Sequence, residues 1–158
     1  MDKTLSDSDI SPYVKNIVLY NELKDMTPDD VLKNIPMAIL YQETPNCGHW
    51  TLLHKTPEGI EFFDPYGIIV DGEFKDLSWQ QPHYLARLLY DLSKRVRINY
   101  SPYKLQKRKA GVNTCGRWTI LRSLFSDWTI DEFAKVVMAV SKVMGIIPDQ
   151  LSVMAFKN

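Results

Sequence analysis

The stretch "HWTLLHKTPEGIEFFDPYG", His49 to Gly67, decides how this chain is read. "HWTLLHK" and "IEFFDPYG" are runs of apolar, aromatic and β-branched residues, separated by "TPEG", in which Pro57 and Gly59 are turn residues. Together they predict an antiparallel hairpin. In such a pair facing positions sum to a nearly constant number, so residue 49 lies across from roughly residues 64 to 66. That register sets Asp64 beside His49. A carboxylate beside an imidazole holds it in one tautomer and stabilises the imidazolium formed during proton transfer. "DPYG" is also a common turn composition, so Asp64 has a purely local reading as a turn residue.

Outward from the hairpin, "IPMAILYQ" (Ile35 to Gln42) is a mostly apolar run that fits a buried strand. Ahead of it, "LSDSDI" starts a short helix capped by Ser6, and "MTPDDVLKNI" a second, with Thr27 as cap and Pro28 at the first helical position. After the hairpin, "QQPHYLARLLYDLSKR" carries Leu85, Leu88, Leu89 and Leu92 at helical spacing, and "VRINY" then alternates as a strand. A helix from Asn113 or Thr114 has Trp118, Leu121, Leu124 and Phe125 along one side. The last helix opens at "TIDE", where Thr129 and Glu132 form a capping box. It runs through Phe133, Val136, Val137, Val140 and Met144 to Gly145 and Pro148. Grouped strands and helices without regular alternation predict an α+β fold. Residues 1–158 read as one domain, since the length suits a single core and no linker or repeat interrupts it.

Hydrophobic residues make up 45% and charged residues 24% of the chain, a globular balance. Nineteen basic residues match nineteen acidic ones, so no global charge draws the protein to nucleic acid or to an anionic membrane. A local cluster, Lys104, Lys107, Arg108 and Lys109, remains as a basic contact loop for nucleic acid or an acidic stretch of substrate, or as a solvated loop. No segment reaches the roughly 18 apolar residues of a membrane span, and the N-terminus has no apolar run to serve as a signal peptide. An intracellular, reducing location, or packaging inside a particle, is expected, without a membrane partner.

Two cysteines are too few for a disulfide scaffold. In "GVNTCGRW", Cys115 falls at the first turn of a helix, where unpaired N–H groups and the helix dipole favour a thiolate. An imidazole able to take its proton would make it a nucleophile. The other reading is a small buried hydrophobe. Of the three histidines, His54 reads as structural or solvated and His83 as a surface residue. Cys47, two residues before His49, could be a second thiol or a ligand. A zinc site from Cys47, His49, Asp64 and Cys115 is chemically possible, but the spacing matches no usual pattern and no metal is expected.

"GHWTLL", "FFDPYG", the glutamine of "YKLQ" and "NTCG" occur in that order. The series resembles the adenovirus proteinase and SUMO-protease type of cysteine peptidase, over about Ile35 to Phe125, and most closely its viral branch. The resemblance implies a permuted papain-like, adenain-like fold, with a central mixed or antiparallel sheet flanked by helices. It makes Cys115 the nucleophile, His49 the general base and acid, and Asp64 the orienter of His49. Gln106 would donate from its side-chain amide to the oxyanion, with the Cys115 backbone N–H as the second donor. Trp50 would line the substrate channel, and Gly48 and Gly116 would allow close approach of the substrate beside base and nucleophile.

By the same resemblance the activity is that of a cysteine endopeptidase without cofactor, of a viral or mobile-element kind that trims capsid or other structural precursors. Its location would be the host cytoplasm, a virus factory or the virion. An isopeptidase acting on ubiquitin-like or SUMO-like conjugates, an acyltransferase using the same triad, and a silent relative that binds nucleic acid stay open as alternatives. An activating peptide or nucleic acid also stays open as a partner.

Overall fold

Strands β3 (Cys47–Thr56) and β4 (Gly59–Phe63) form the antiparallel hairpin, with Leu52 facing Phe63 and Thr56 facing Gly59 across a two-residue turn. The computed structural model describes residues 4–44, 47–72, 83–109 and 112–156. The side chain of Cys47, Gly111 and the opening residues of "QQPHYLARLL" lie outside the described residues. At the turn, Gly59 has φ +114, and a Cβ there would run into the Arg97 carbonyl, which accepts from the N–H of Ile60. A side chain at this position would push the neighbouring strand away.

Five strands share one sheet in the order β1-β2-β3-β4-β5. Strand β2 (Met37–Thr44) pairs antiparallel with β3. The two outer strands, β1 (Asn16–Leu19) and β5 (Ile98–Tyr100), run parallel to β2 and β4. The sheet is therefore mixed. Met37, Ile39 and Tyr41 belong to the core on one face of β2 and Ala38 to the core on the other, which is why this strand reads as a continuous apolar run.

Helices cover both faces. On one lie α2 (Pro28–Asn34), α3 (Tyr84–Leu92) and a 3₁₀ helix (Tyr20–Asp25), which bury Val31, Leu85, Leu88, Leu89, Leu92, Tyr20 and Leu23. On the other lie α1 (Asp7–Ile10), α4 (Cys115–Leu124), α5 (Ile130–Met144) and α6 (Pro148–Ala155). Ser6, Thr27 and Thr129 occupy the N-caps as expected, with the Ser6 and Thr129 hydroxyls donating to the Asp9 and Glu132 carboxylates. Asp9 Oδ2 accepts from the Ser6 N–H at 2.8 Å, and Thr27 and Thr129 accept from the N–H groups of Asp30 and Glu132.

Three expectations change. In α4, Trp118 is fully buried, but Leu124 and Phe125 are exposed while Arg117 and Arg122 are buried. The helix is enclosed on most sides, so the single apolar stripe expected of a surface helix does not describe it. Along α5 the inward stripe is Ile130, Phe133, Ala134, Val137 and Ser141, and Val136, Val140 and Met144 face outward. The period is right and the stripe is rotated. Pro148, expected beyond the end of the last helix, is instead the first residue of α6.

Arg122 is buried because Glu61 of β4 is. Its Nε and Nη2 bond both oxygens of the Glu61 carboxylate at 2.8 and 3.2 Å, and its remaining donors reach the carbonyls of Phe125 and Trp128. His54 of β3 joins through Nε2 at 2.7 Å from Glu61 Oε2. Burial first, and Arg122 second, hold His54 below its usual 6.5 against the pull of Glu61, so the ring is neutral and donates.

We expect Arg122→Met to cost about 3–5 kcal/mol in urea unfolding, because it strands a buried carboxylate. Arg95→Ala, which removes the exposed Arg95–Asp29 pair, should cost about 1 kcal/mol or less. Since the folded pKa of His54 lies below its ordinary 6.5, its contribution is present above that pH and is lost as pH falls through the folded value. Urea titrations below pH 6.5 should show that loss in the parent and a smaller one in His54→Gln.

Candidate active site

Two ends of different elements meet where β4 stops. His49 lies near the start of β3 and extends past the last ladder pair, Leu52 with Phe63, while the chain turns away through Asp64, Pro65 and Tyr66. Asp64 does both things its sequence context allows. Its Oδ1 accepts from the Tyr66 N–H at 2.8 Å and its carbonyl from the Gly67 N–H, closing the turn. The same Oδ1 lies 2.7 Å from His49 Nε2, with both side chains almost wholly buried.

Cys115 opens α4 and is 4% exposed. It adjoins the His49 side chain closely enough to act on the imidazole's pKa. Nε2 is engaged by Asp64, so Nδ1 is the nitrogen left to exchange a proton with sulfur. Burial alone would lower the pKa of His49. The charge and hydrogen bond of Asp64, followed by those of Cys115, overcome that and hold it well above 6.5. The arrangement thus favours a protonated imidazole between two groups that can carry negative charge.

Tyr66 is a member that sequence reasoning missed. Its ring stacks on His49 at 4.4 Å with a 6° tilt, and the Arg108 guanidinium covers its other face at 5.0 Å. Continuing the β3–β4 register past the ladder would have set residue 66 opposite His49, so the signal was present. Lys104, Lys107, Arg108 and Lys109 are all exposed.

Gln106 is buried, and its Nε2 donates to the Val112 carbonyl at a long 3.3 Å. Among the described residues its Oε1 has no partner. The backbone of its segment is tied to the turn after Asp64, since the N–H groups of Leu105 and Gln106 both donate to the Pro65 carbonyl.

Trp50 is 2% exposed and its indole N–H donates to the Leu5 carbonyl at 3.0 Å. A Cβ on Gly116 would stand 2.9 Å from Leu5 Cβ, and one on Gly48 2.7 Å from the Leu40 side chain. The room these glycines leave is thus taken by the chain's own side chains. Gly48 and Trp50 line a cleft of about 750 Å³, shared with Leu5, Ser6, Ile17 and Leu40, on the face of the sheet covered by α1. Among the described residues no three His, Cys, Asp or Glu side chains form a metal-ligating group, and no single helix is long and apolar enough to cross a membrane.

The chain is 37% identical over 163 residues to the uncharacterized protein V9 of Sputnik virophage, with 95% of this chain and 92% of that protein covered. No protein-family model matches it.

In a titration of the imidazole followed by NMR, His49 should stay protonated through neutral pH in the parent. In Asp64→Asn, where burial acts without the carboxylate, its pKa should fall. The raised pKa also makes a linkage prediction. The stability His49 contributes is complete below about 6.5 and is lost as pH rises through the folded value, and Asp64→Asn should flatten that dependence.

Proposed function

This chain belongs to the family of the Sputnik virophage protein, and on that premise, with Asp64 bonded to the buried His49 and Cys115 acting on the same imidazole, we propose that it is a viral cysteine endopeptidase with a permuted papain-like, adenain-like fold. The observation that carries the reading is a buried carboxylate bonded to an imidazole whose pKa a thiol at the first position of a helix also raises.

His49 holds, as imidazolium, the proton that Cys115 gives up, and the thiolate adds to the carbonyl carbon of a peptide bond. Negative charge passes to the carbonyl oxygen, where the Gln106 amide and the Cys115 backbone N–H stabilise it. As the C–N bond breaks, the His49 imidazolium gives its proton to the departing amine, leaving a thioester on Cys115. Water, deprotonated by His49, then attacks that thioester, and its cleavage returns acid product and free thiol. Asp64 keeps the imidazole turned toward sulfur throughout. Structural precursors of a virus particle are the proposed substrates, an assignment that rests on the family resemblance and the virophage relative.

A second reading draws on the exposed basic side chains of Lys104, Lys107, Arg108 and Lys109. It makes the protein a silent relative that binds nucleic acid.

One experiment separates the two. Alkylation of Cys115 by iodoacetamide, followed by peptide mass spectrometry, should proceed at pH 6, where an ordinary thiol of pKa about 8.5 is under ~1% thiolate. His49→Ala should abolish that advantage. Against a cleaved precursor, Gln106→Ala should lower kcat about 10²–10³-fold. If Cys115 titrates as an ordinary thiol and is indifferent to His49, while the chain binds DNA in a salt-sensitive way, the peptidase reading fails and the second stands.

A further inference from the structure

The two oxyanion donors proposed above come from two segments, one carrying Gln106 and the other opening α4 at Cys115. A third element joins them. Asp149, the second residue of α6, is 1% exposed and reaches both sides at once. Its Oδ2 accepts from the backbone N–H of Lys107 at 2.9 Å, one residue after Gln106. Its Oδ1 accepts from the Thr114 hydroxyl at 2.6 Å, one residue before Cys115, and from the Trp118 indole N–H at 3.2 Å.

We propose that Asp149 is the positioning residue of the oxyanion site, holding the Gln106 segment and the Cys115 N–H at the separation a carbonyl oxygen needs. The proposal rests on the peptidase reading. Asp149 itself is too occupied to touch substrate, because the three hydrogen bonds its carboxylate accepts all come from the frame.

Two further observations bear on it. Thr114 sits at the cap position of α4, yet its side chain makes no cap to that helix. Its hydroxyl donates to Asp149 instead, so this side chain leaves the first N–H groups of α4 to another acceptor. On its other side the Gln106 segment is fastened to the Pro65 carbonyl, directly after Asp64. Gln106 is thus hung between the turn that orients His49 and the carboxylate that anchors the nucleophile's helix. Its own side-chain amide has one long bond and an unpartnered Oε1 among the described residues, so the backbone ties carry its placement.

The test compares two reactions of the same sulfur in the full chain. Acylation of Cys115 by p-nitrophenyl acetate passes through an oxyanion and releases p-nitrophenolate, whereas alkylation by iodoacetamide forms no oxyanion. Asp149→Asn keeps the shape but turns an N–H₂ group toward one of the donors. We expect acylation to fall about tenfold or more while alkylation stays within about twofold. Thr114→Val, which removes only the hydroxyl donor, should lower the same ratio in the same direction and decides the matter should Asp149→Asn lose its fold by circular dichroism. A ratio unchanged from the parent, or both rates falling together in a folded variant, overturns the proposal. Gln106→Ala is measured alongside. If it too leaves the ratio unchanged, the oxyanion role of Gln106 is wrong and the proposal falls with it; a lowered ratio in Gln106→Ala alone sinks Asp149's role and spares the peptidase reading.

Discussion

Glu61 is a carboxylate in the middle of a sheet, and the position of α4 follows from the need to neutralise it. A buried charge without a partner costs several kcal/mol, and here both oxygens are met by the fork of Arg122 while His54 completes one of them. Arg122 lies two turns along the helix that Cys115 begins, and His54 lies on the strand that carries His49. The ion cluster therefore fastens the thiol's helix to the imidazole's strand. Apolar packing of Trp118 and Ile120 supplies much of the attraction, but it is non-directional. The bidentate guanidinium adds a geometric constraint that packing lacks.

With α4 docked in this way, the candidate site is assembled from chain segments that end or turn near one another. β4 stops at Phe63, the next residue swings its carboxylate to His49, and Tyr66 closes over the ring. Pro65 and Asp149 then hold the segment of Gln106 from opposite sides. The sheet and helix supply the imidazole and thiol, the turn after β4 supplies the carboxylate, and a loop supplies the amide. The loop member is accordingly the one that needs additional ties, which it receives through backbone N–H groups rather than through its own side chain.

Much of this architecture was legible in the chain because its signals are local. Capping residues at Ser6, Thr27 and Thr129, the turn "TPEG" and the leucine spacing of α3 each depend on near neighbours. The proximity of His49 and Asp64 was legible in part for the same reason: the hairpin register, continued past its last pair, sets residue 66 opposite His49 and Asp64 two residues short of it on the same face. β1 left little trace: it is four residues long, and its parallel partner β2 begins about twenty residues later. α6 was hidden by Pro148, which can follow one helix or begin the next.

The sequence by itself determined the hairpin, the starts of the capped helices and the presence of a thiol at the start of another, all consequences of backbone geometry within a few residues. Tertiary structure decided which side chains of α4 and α5 face inward, that Arg117 and Arg122 are buried, and that Asp149 lies between Gln106 and Thr114. The reason is physical. A helical period defines a stripe but not what covers it, and a polar residue can be buried only when a partner distant in sequence accepts or donates its hydrogen bonds. Asp149 and its partners are 31 to 42 residues apart in the chain. No periodicity links them, so only the fold brings them into contact.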